Sequence, residues 1–446
     1  MDFSPHTPED EQLMLDAIGA SSVQELFEPV PEEVRLDRDL DVPDALSEPE
    51  LMRTMERLAS TSAAGGLPCF AGGGAYDHHV PAVVRALASR AEFATSYTPY
   101  QAELSQGVLQ ALFEFQSLVC EIYGMEVANA SLYDGANALV EAVTLAVRQT
   151  KRRRVVIGGT VHPHYREVLE TYTRGLDLAI AVAPPAHDGT VDWEATGMDG
   201  AAAVVGASPN VFGRLEDIAG LCDRAHLNDA VAVAVSDPTA MGILEAPGRQ
   251  GADVAVGEGQ ALGNALYYGG PYVGLFATKA HLVRQMPGRI SGETLDVDGR
   301  RSYVLTLQGR EQHIRRARAT SNVCTNQTLM AIAAAIHLAW LGPAGLRTLG
   351  TTCVRRTAYA ARRLAEVPGC SIRFEGPHFK EIVLATPVDG RDLARRLARK
   401  GFIAGPGLGD WFPELARCLL VAVTERRSRD EIDAFAEAVD KELAET

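Results

Sequence analysis

The stretch Val231-Ala232-Val233-Ala234-Val235-Ser236-Asp237-Pro238 sets five apolar residues directly before a serine, a carboxylate and a proline. A run this short and wholly apolar reads as a strand buried on both faces, the condition of a parallel sheet covered by helices. Asp237 then stands at the carboxyl end of that strand, where sheets of this class bind ligands. The same text repeats outward. Upstream, the pattern predicts a helix opened by Asp134-Gly135 and running to about Gln149, a strand from Arg154 to Ile157 and a helix from Pro163. Strands from Leu178 to Val182 and Ala202 to Val205 follow, then a helix from Leu215 to Ala225. Downstream it predicts a strand near Val254 and another from Tyr272 to Ala277. Short apolar strands alternating with amphipathic helices make the core α/β, with a mostly parallel sheet.

Before the sheet, three helix starts recur: Thr7-Pro8-Glu9-Asp10, Ser22-Val23-Gln24-Glu25 and Ser47-Glu48-Pro49-Glu50, each a capping hydroxyl with an acid in the first turn. They predict a helical arm that packs on something larger. A glycine-rich segment, Ala71-Gly72-Gly73-Gly74-Ala75, leads into an irregular aromatic and polar stretch reaching about Gln106. Leu104, Val108, Leu109, Leu112, Phe115, Val119 and Ile122 then fall at helical spacing, and Gly124 closes the run as a C-cap. After Thr278 come an Arg-rich irregular stretch and a helix from about Gln327 to Leu341, ended by Gly342-Pro343. A last unit reads strand (Ile382 to Ala385), helix (Asp392 to Arg399), strand (Leu419 to Val423), helix (Asp430 to Leu443). The expected division is an arm at 1–70, a large α/β domain at 71–345 and a small α+β domain at 346–446.

With 446 residues, 46% of them apolar, the chain is long enough for a large core. A formal net charge of −16 disfavours nucleic acid and anionic membranes, which attract a surplus of Lys and Arg. The seven cysteines are scattered without a Cys-x-x-Cys pair, so neither a disulfide framework nor a zinc site is indicated. No run is read as approaching the roughly 18 apolar residues of a membrane span, and Met1-Asp2-Phe3-Ser4 lacks a basic-then-apolar signal pattern, so a cytoplasmic protein is expected.

Several constellations invite chemistry. The Gly72-Gly73-Gly74 cluster lacks both a preceding strand and the glycine that a dinucleotide fingerprint needs at Asp77, and Gly405-Pro406-Gly407-Leu408-Gly409 runs into Trp411-Phe412-Pro413 rather than a helix. Both read as turns. The pairs His78-His79 and His162-Pro163-His164 lack a third ligand at metal-binding spacing, so no metal is expected. Asp134-Gly135-Ala136-Asn137 opens a helix whose free N–H groups suit a phosphate, and it equally makes an ordinary capped start. Asp237 is placed as the acid that pairs with the ring nitrogen in a pyridoxal phosphate enzyme. Such an enzyme needs a lysine shortly after that strand. The five lysines stand at 151, 279, 380, 400 and 441, while the turn in question reads Gly257-Glu258-Gly259-Gln260-Ala261-Leu262-Gly263. A fold suited to the cofactor without an amine to hold it suggests a retired copy, in which Asp134 and Asp237 are vestigial.

Longer motifs carry a resemblance. Tyr76-Asp77-His78, then Arg90-Ala91-Glu92-Phe93-Ala94-Thr95-Ser96-Tyr97-Thr98-Pro99-Tyr100-Gln101-Ala102-Glu103-Leu104-Ser105-Gln106-Gly107, resemble the glycine cleavage system P protein family. So do Asn129-Ala130-Ser131-Leu132-Tyr133-Asp134-Gly135, Arg310-Glu311-Gln312-His313-Ile314-Arg315-Arg316, Ala319-Thr320-Ser321-Asn322 and Thr424-Glu425. Similarity to that family implies a type I aminotransferase-like fold and a glycine dehydrogenase (decarboxylating) activity, an oxidoreductase function. Glycine loses carbon dioxide on pyridoxal phosphate, and its aminomethyl group passes to the lipoyl arm of the H protein; the T and L proteins complete the system. The chain resembles the first half of the long form, which is subunit 1 of the split form. The resemblance therefore implies a homologous second subunit that bears the cofactor, a dimer of heterodimers, and no activity alone. Ala207-Ser208 before Pro209-Asn210, and Ala261 where proline is usual, depart from the family pattern.

Two readings of the chain's own role stand beside each other, together with an autonomous pyridoxal enzyme using an unexpected lysine. In one, the chain completes its partner's active site; in the other it is a structural or regulatory homologue without an active-site residue. Tyr97, Thr98, Tyr100, Gln101 and Glu103 around Pro99, with Tyr76, Asp77 and His78, are the candidates for a shared site or channel, because a dense set of hydrogen-bonding groups suits a small zwitterion. These groups equally satisfy one another in a rigid turn. Thr320, Ser321 and Asn322 are the candidates for the partner's cofactor phosphate.

Overall fold

The computed structural model describes residues 5–36, 38–94 and 97–445. Met1-Asp2-Phe3-Ser4 and the Thr95-Ser96 pair of the quoted motif lie outside the described residues. The chain divides into two compact units, 1–65 and 66–446.

In the first unit, two of the three helix starts behave as capping boxes. Thr7 and Asp10 exchange side-chain bonds with each other's backbone N–H at the head of Pro8–Ile18, and Ser47 and Glu50 do so at Glu48–Ser60. Ser22 opens only a 3₁₀ turn, Val23–Phe27. Pro29 and Pro31 follow too closely for an α-helix to propagate, because each lacks the N–H that the ladder needs. The apolar residues Leu13, Ile18, Leu40 and Val42 of this unit are exposed.

The second unit is built on a seven-stranded sheet in the order Val127–Ala128, Gly274–Thr278, Val254–Glu258, Val231–Val235, Ala201–Ala207, Arg154–Gly158, Ala179–Ala183. The last five of these run parallel to one another. Alternate strand residues go to opposite faces, as the two-residue period demands. Val155, Ile157, Val205, Val233 and Val256 pack with Leu139 and Val143 of the helix Gly135–Thr150. Val156, Val204, Ala232, Ala234 and Ala255 pack with Leu112 and Phe115 of the helix Gln106–Tyr123. The strand Gly274–Thr278 is antiparallel to Val254–Glu258. A parallel return needs a crossover of a dozen or more residues, usually a helix. The connecting segment is a run of turns instead.

A three-stranded antiparallel sheet, Ser371–Ile372, Glu381–Ala385 and Cys418–Ala422, forms the C-terminal part with the helices Gly390–Arg399 and Arg429–Ala444. Its core joins Ile382, Leu384, Leu419, Val421 and Phe435. The strand Cys69–Ala71 pairs in parallel with Ile403–Gly405, so the approach to the glycine-rich segment is tied to this end of the chain.

Two expectations need correction. The Arg-rich stretch after Thr278 is not wholly irregular: Ile290–Leu295 and Arg301–Thr306 form a hairpin. Its turn carries Asp298-Gly299, a recognised hairpin signal, with Gly299 at φ 76°. The helix read as ending at Leu341 resumes after Gly342 and extends to Ala365. Gly342 (φ 59°, ψ −179°) breaks the ladder, and Pro343 then serves as the first residue of the next helical segment. This helix also contains Leu329 to Leu346, a run without a charge, which by length and composition is sufficient to cross a membrane. Ala331, Ala334 and Leu338 of that run belong to the core cluster of Leu112 and Phe115, so it packs as a core helix.

Candidate active site

The carboxyl ends of three strands of the large sheet and the start of one strand of the small sheet line a single cavity. Its room for the centre of a water-sized sphere is about 80 Å³, against roughly 10–15 Å³ for one water. Asp237 follows the strand Val231–Val235, as expected, and lines this cavity with Tyr76, Glu258, Lys380 and Glu381.

Asp237 is paired within the chain. Its Oδ2 lies 2.6 Å from Nζ of Lys380, and its Oδ1 accepts from the N–H and hydroxyl of Thr239 at 2.8 and 2.6 Å. Burial pushes the Asp237 carboxyl up, but the Lys380 charge and these hydrogen bonds outweigh it and hold the group below its usual range. Lys380 itself is 2% exposed. Its ammonium also lies 3.0 Å from His78 Nε2 and 3.4 Å from Thr239 Oγ1, with the Tyr76 ring centroid 3.6 Å away. Three donors and a cation–π face leave the ammonium fully partnered.

The network continues to Glu425, just beyond the last strand of the small sheet. His78 Nδ1 lies 2.6 Å from Glu425 Oε2, and the N–H of His79 donates to Oε1 at 2.6 Å. Burial and the neighbouring Lys380 lower the pKa of His78, so the ring is neutral, donating from Nδ1 and accepting at Nε2. Glu425 is held down at about 2: burial opposes this, and the bonds from His78 and His79 prevail. Cys353 brings its sulfur to 3.9 Å from Glu425 Oε2, so His78, Cys353 and Glu425 form a potential metal triad that sequence spacing does not reveal. Both nitrogens of His78 are already engaged, which leaves that triad without a free histidine lone pair.

The glycines are explained by carboxyl groups rather than by a nucleotide. A Cβ on Gly72 would stand 2.2 Å from Glu381 Oε1. Glu381 accepts from the N–H of Gly73 at 2.7 Å and from the Tyr76 hydroxyl at 2.9 Å, and burial pushes it up to about 7. At the head of the helix Gly135–Thr150, Asp134 caps Asn137 N–H at 2.8 Å. The N–H of Gly135 donates to Glu258 Oε2 at 3.0 Å, while Oε1 of Glu258 accepts from the N–H groups of Gln260 (2.9 Å) and Val273 (3.2 Å). Burial pushes Glu258 up to about 8 against these three donors. Where a pyridoxal lysine would be needed, Gln260 uses its amide on the backbone of Tyr76 and Asn264.

These residues do not fit pyridoxal phosphate. Asp237 already holds a cation, the helix head already holds a carboxyl group, and the turn 257–263 offers no amine.

The other predicted residues fall into a second group. Asp77 does not line the cavity and pairs with Arg426 and, at 3.0 Å, with Arg427. Tyr97 and Tyr100 are 81% and 57% exposed, and Gln101 and Glu103 are exposed too. Thr98 Oγ1 is buried without a partner. Tyr100 is backed by the buried Arg289, whose Nη2 lies 3.4 Å from the Tyr100 hydroxyl and 2.6 Å from Cys324 O; its Nη1 lies 3.1 Å from Asn326 Oδ1. The run through Asn322 is thereby brought toward Tyr100. Thr320 N–H donates to Arg310 O at 3.4 Å, the Ser321 hydroxyl accepts from Val323 N–H at 3.0 Å, and Asn322 is exposed. Lys380, Glu258 and Glu381 were not anticipated by sequence reasoning.

A family model described as glycine cleavage system P-protein matches residues 1–439. A probable glycine dehydrogenase (decarboxylating) subunit 1 from Moorella thermoacetica is 49% identical over 98% of this chain and 99% of its own length. The protein of the same description from Carboxydothermus hydrogenoformans is 46% identical over the same shares. Among solved structures, the inhibitor-bound glycine decarboxylase (P-protein) of the glycine cleavage system superposes with a TM-score of 0.92 at 44% identity, covering 99% of this chain and 100% of that one. A sphingosine-1-phosphate lyase from Burkholderia pseudomallei, 14% identical, shares the fold with a TM-score of 0.67 over 93% and 95% of the two chains.

Proposed function

The chain belongs to the glycine cleavage system P-protein family, and from that premise we propose that it is the subunit of a two-part glycine decarboxylase that does not carry the cofactor. Its partner is a homologous chain that holds pyridoxal phosphate on a lysine. The observation that carries this reading is the turn 257–263: Gly257, Glu258 and Ala261 line the cavity without offering an amine, and Gln260 beside them is an amide tied to Tyr76 and Asn264. When bound on the partner, the cofactor supplies the electron sink for loss of carbon dioxide from glycine, and the lipoyl arm of the H protein receives the aminomethyl group.

This chain's part is at the surface it presents. Tyr100 and Glu103 offer a hydroxyl and a carboxyl to solvent, and Arg289 fixes Tyr100 from behind. Held in this way, the phenol donates a hydrogen bond without reorganisation, which lowers the entropic part of a barrier, while the Glu103 carboxylate is free to turn toward an ammonium. Exposed Leu13, Ile18, Leu40 and Val42 give the arm an apolar surface for the same partner. Thr320, Ser321 and Asn322 are assigned to the partner's cofactor phosphate, and the enzyme to a dimer of heterodimers.

The test is exchange of carbon dioxide into glycine by this chain, by its partner and by the two together, with the lipoylated H protein. Activity that requires both chains supports the reading. Full activity of either chain alone refutes it.

A further inference from the structure

Glu258 and Lys380 both line the cavity and engage the two groups by which a phosphorylated pyridine would be gripped, the N–H at the helix head and the acid after the central strand. We propose that these two side chains are internal replacements for the cofactor's two polar ends, with the Glu258 carboxyl taking the hydrogen bonds of the phosphate and the Lys380 ammonium the place of the protonated ring nitrogen, so that the pocket is closed by the chain's own groups. The inference rests on the reading that the cofactor belongs to the partner, and it supplies the physical reason this pocket rejects it.

The two replacements are independent observations on different elements. Glu258 ends a strand of the large sheet and takes up Gly135 N–H, a donor that a phosphate would otherwise meet. Lys380 stands just before the small-sheet strand Glu381–Ala385 and meets Asp237 at 2.6 Å. Loss of the lysine at the turn explains only the absence of a covalent link. A cofactor could still bind without one if its ends found partners, as anions and cations do in any preorganised pocket. Here an incoming ring nitrogen would have to displace an ammonium with four contacts. An incoming phosphate would have to displace a carboxyl group that accepts three backbone N–H bonds.

Pyridoxamine 5′-phosphate is the suitable probe, because it cannot form an imine with surface lysines. Binding to the full chain is followed by its fluorescence. The unmodified chain should show no saturable binding up to millimolar probe, while Glu258→Ala with Lys380→Met together should bind at least roughly tenfold more tightly. Saturable binding by the unmodified chain with the same affinity as the double variant overturns the proposal, and so does a folded double variant that fails to bind. If that variant does not fold, the cycle of Lys380→Met, Asp237→Asn and their combination decides. A combination more stable than Lys380→Met alone supports the ion pair, and additive losses overturn it. Cofactor content of the assembled enzyme is measured alongside: two per heterodimer would defeat the functional reading itself, whereas one per heterodimer with no gain in the variant defeats only this inference.

Discussion

The Tyr76 hydroxyl donates to Glu381 Oε2 at 2.9 Å inside a pocket where that carboxyl titrates near neutrality, at about 7. Its folded-state pKa lies above the ordinary value of 4.5, so the folded chain holds this proton more tightly than the unfolded chain does. The associated stability is fully present below pH 4.5 and is lost as the pH rises through 7. Glu381→Gln should therefore gain on the unmodified chain by up to about 1.4 kcal/mol per pH unit in that window. Denaturant midpoints at several pH values measure it, and parallel curves for the two proteins would disprove it. Glu258, at about 8, has the same sign.

Gly72→Ala should lose stability through Glu381. The new methyl would stand 2.2 Å from Glu381 Oε1 and 2.9 Å from Ala422 Cβ, so an overpacking cost of about 1–3 kcal/mol is expected. Combining it with Glu381→Ala should recover part of the loss. Strict additivity in thermal unfolding would place the clash elsewhere.

Tyr100→Phe, measured with the partner present, should lower glycine exchange by roughly fivefold or more, the equivalent of one hydrogen bond of about 1 kcal/mol. Assembly should be unchanged, because the change removes a single hydroxyl and keeps the ring. Glu103→Gln keeps the shape and removes the charge. Unmodified exchange rates in both variants would make the segment scaffolding and favour a structural or regulatory role for the chain.

Ser321→Ala with Asn322→Ala should weaken cofactor retention by the assembled enzyme by roughly tenfold, since two polar donors near an anion are removed. Spectrophotometric titration of the apoenzyme with pyridoxal phosphate reads this. Undiminished affinity would detach these residues from the phosphate.

The alternating strands and the acid at Asp237 were legible because each is a local pattern: five apolar residues, then a carboxylate. The capping boxes at Thr7 and Ser47 were legible for the same reason. The hairpin around Asp298-Gly299 carried a readable turn signal that went unused. Lys380 and Glu381 were illegible. Two charged residues opening a strand normally face water, and only the docking of the small sheet on the large one buries them. The same long-range assembly brings Cys353 to Glu425 and gives Gly72 its reason to lack a side chain.

The chain of contacts from Asp237 through Lys380 and His78 to Glu425 has a mechanical meaning. Asp237 follows the central strand of the large sheet, Lys380 leads into the small one, and Glu425 follows the latter's last strand. Together they tie the small sheet to the large one across a seam beside the cavity. On the reading that the cofactor sits on the partner, this chain has no ligand for which that seam must open. Fixed there, it is the anvil against which the partner of that reading would close.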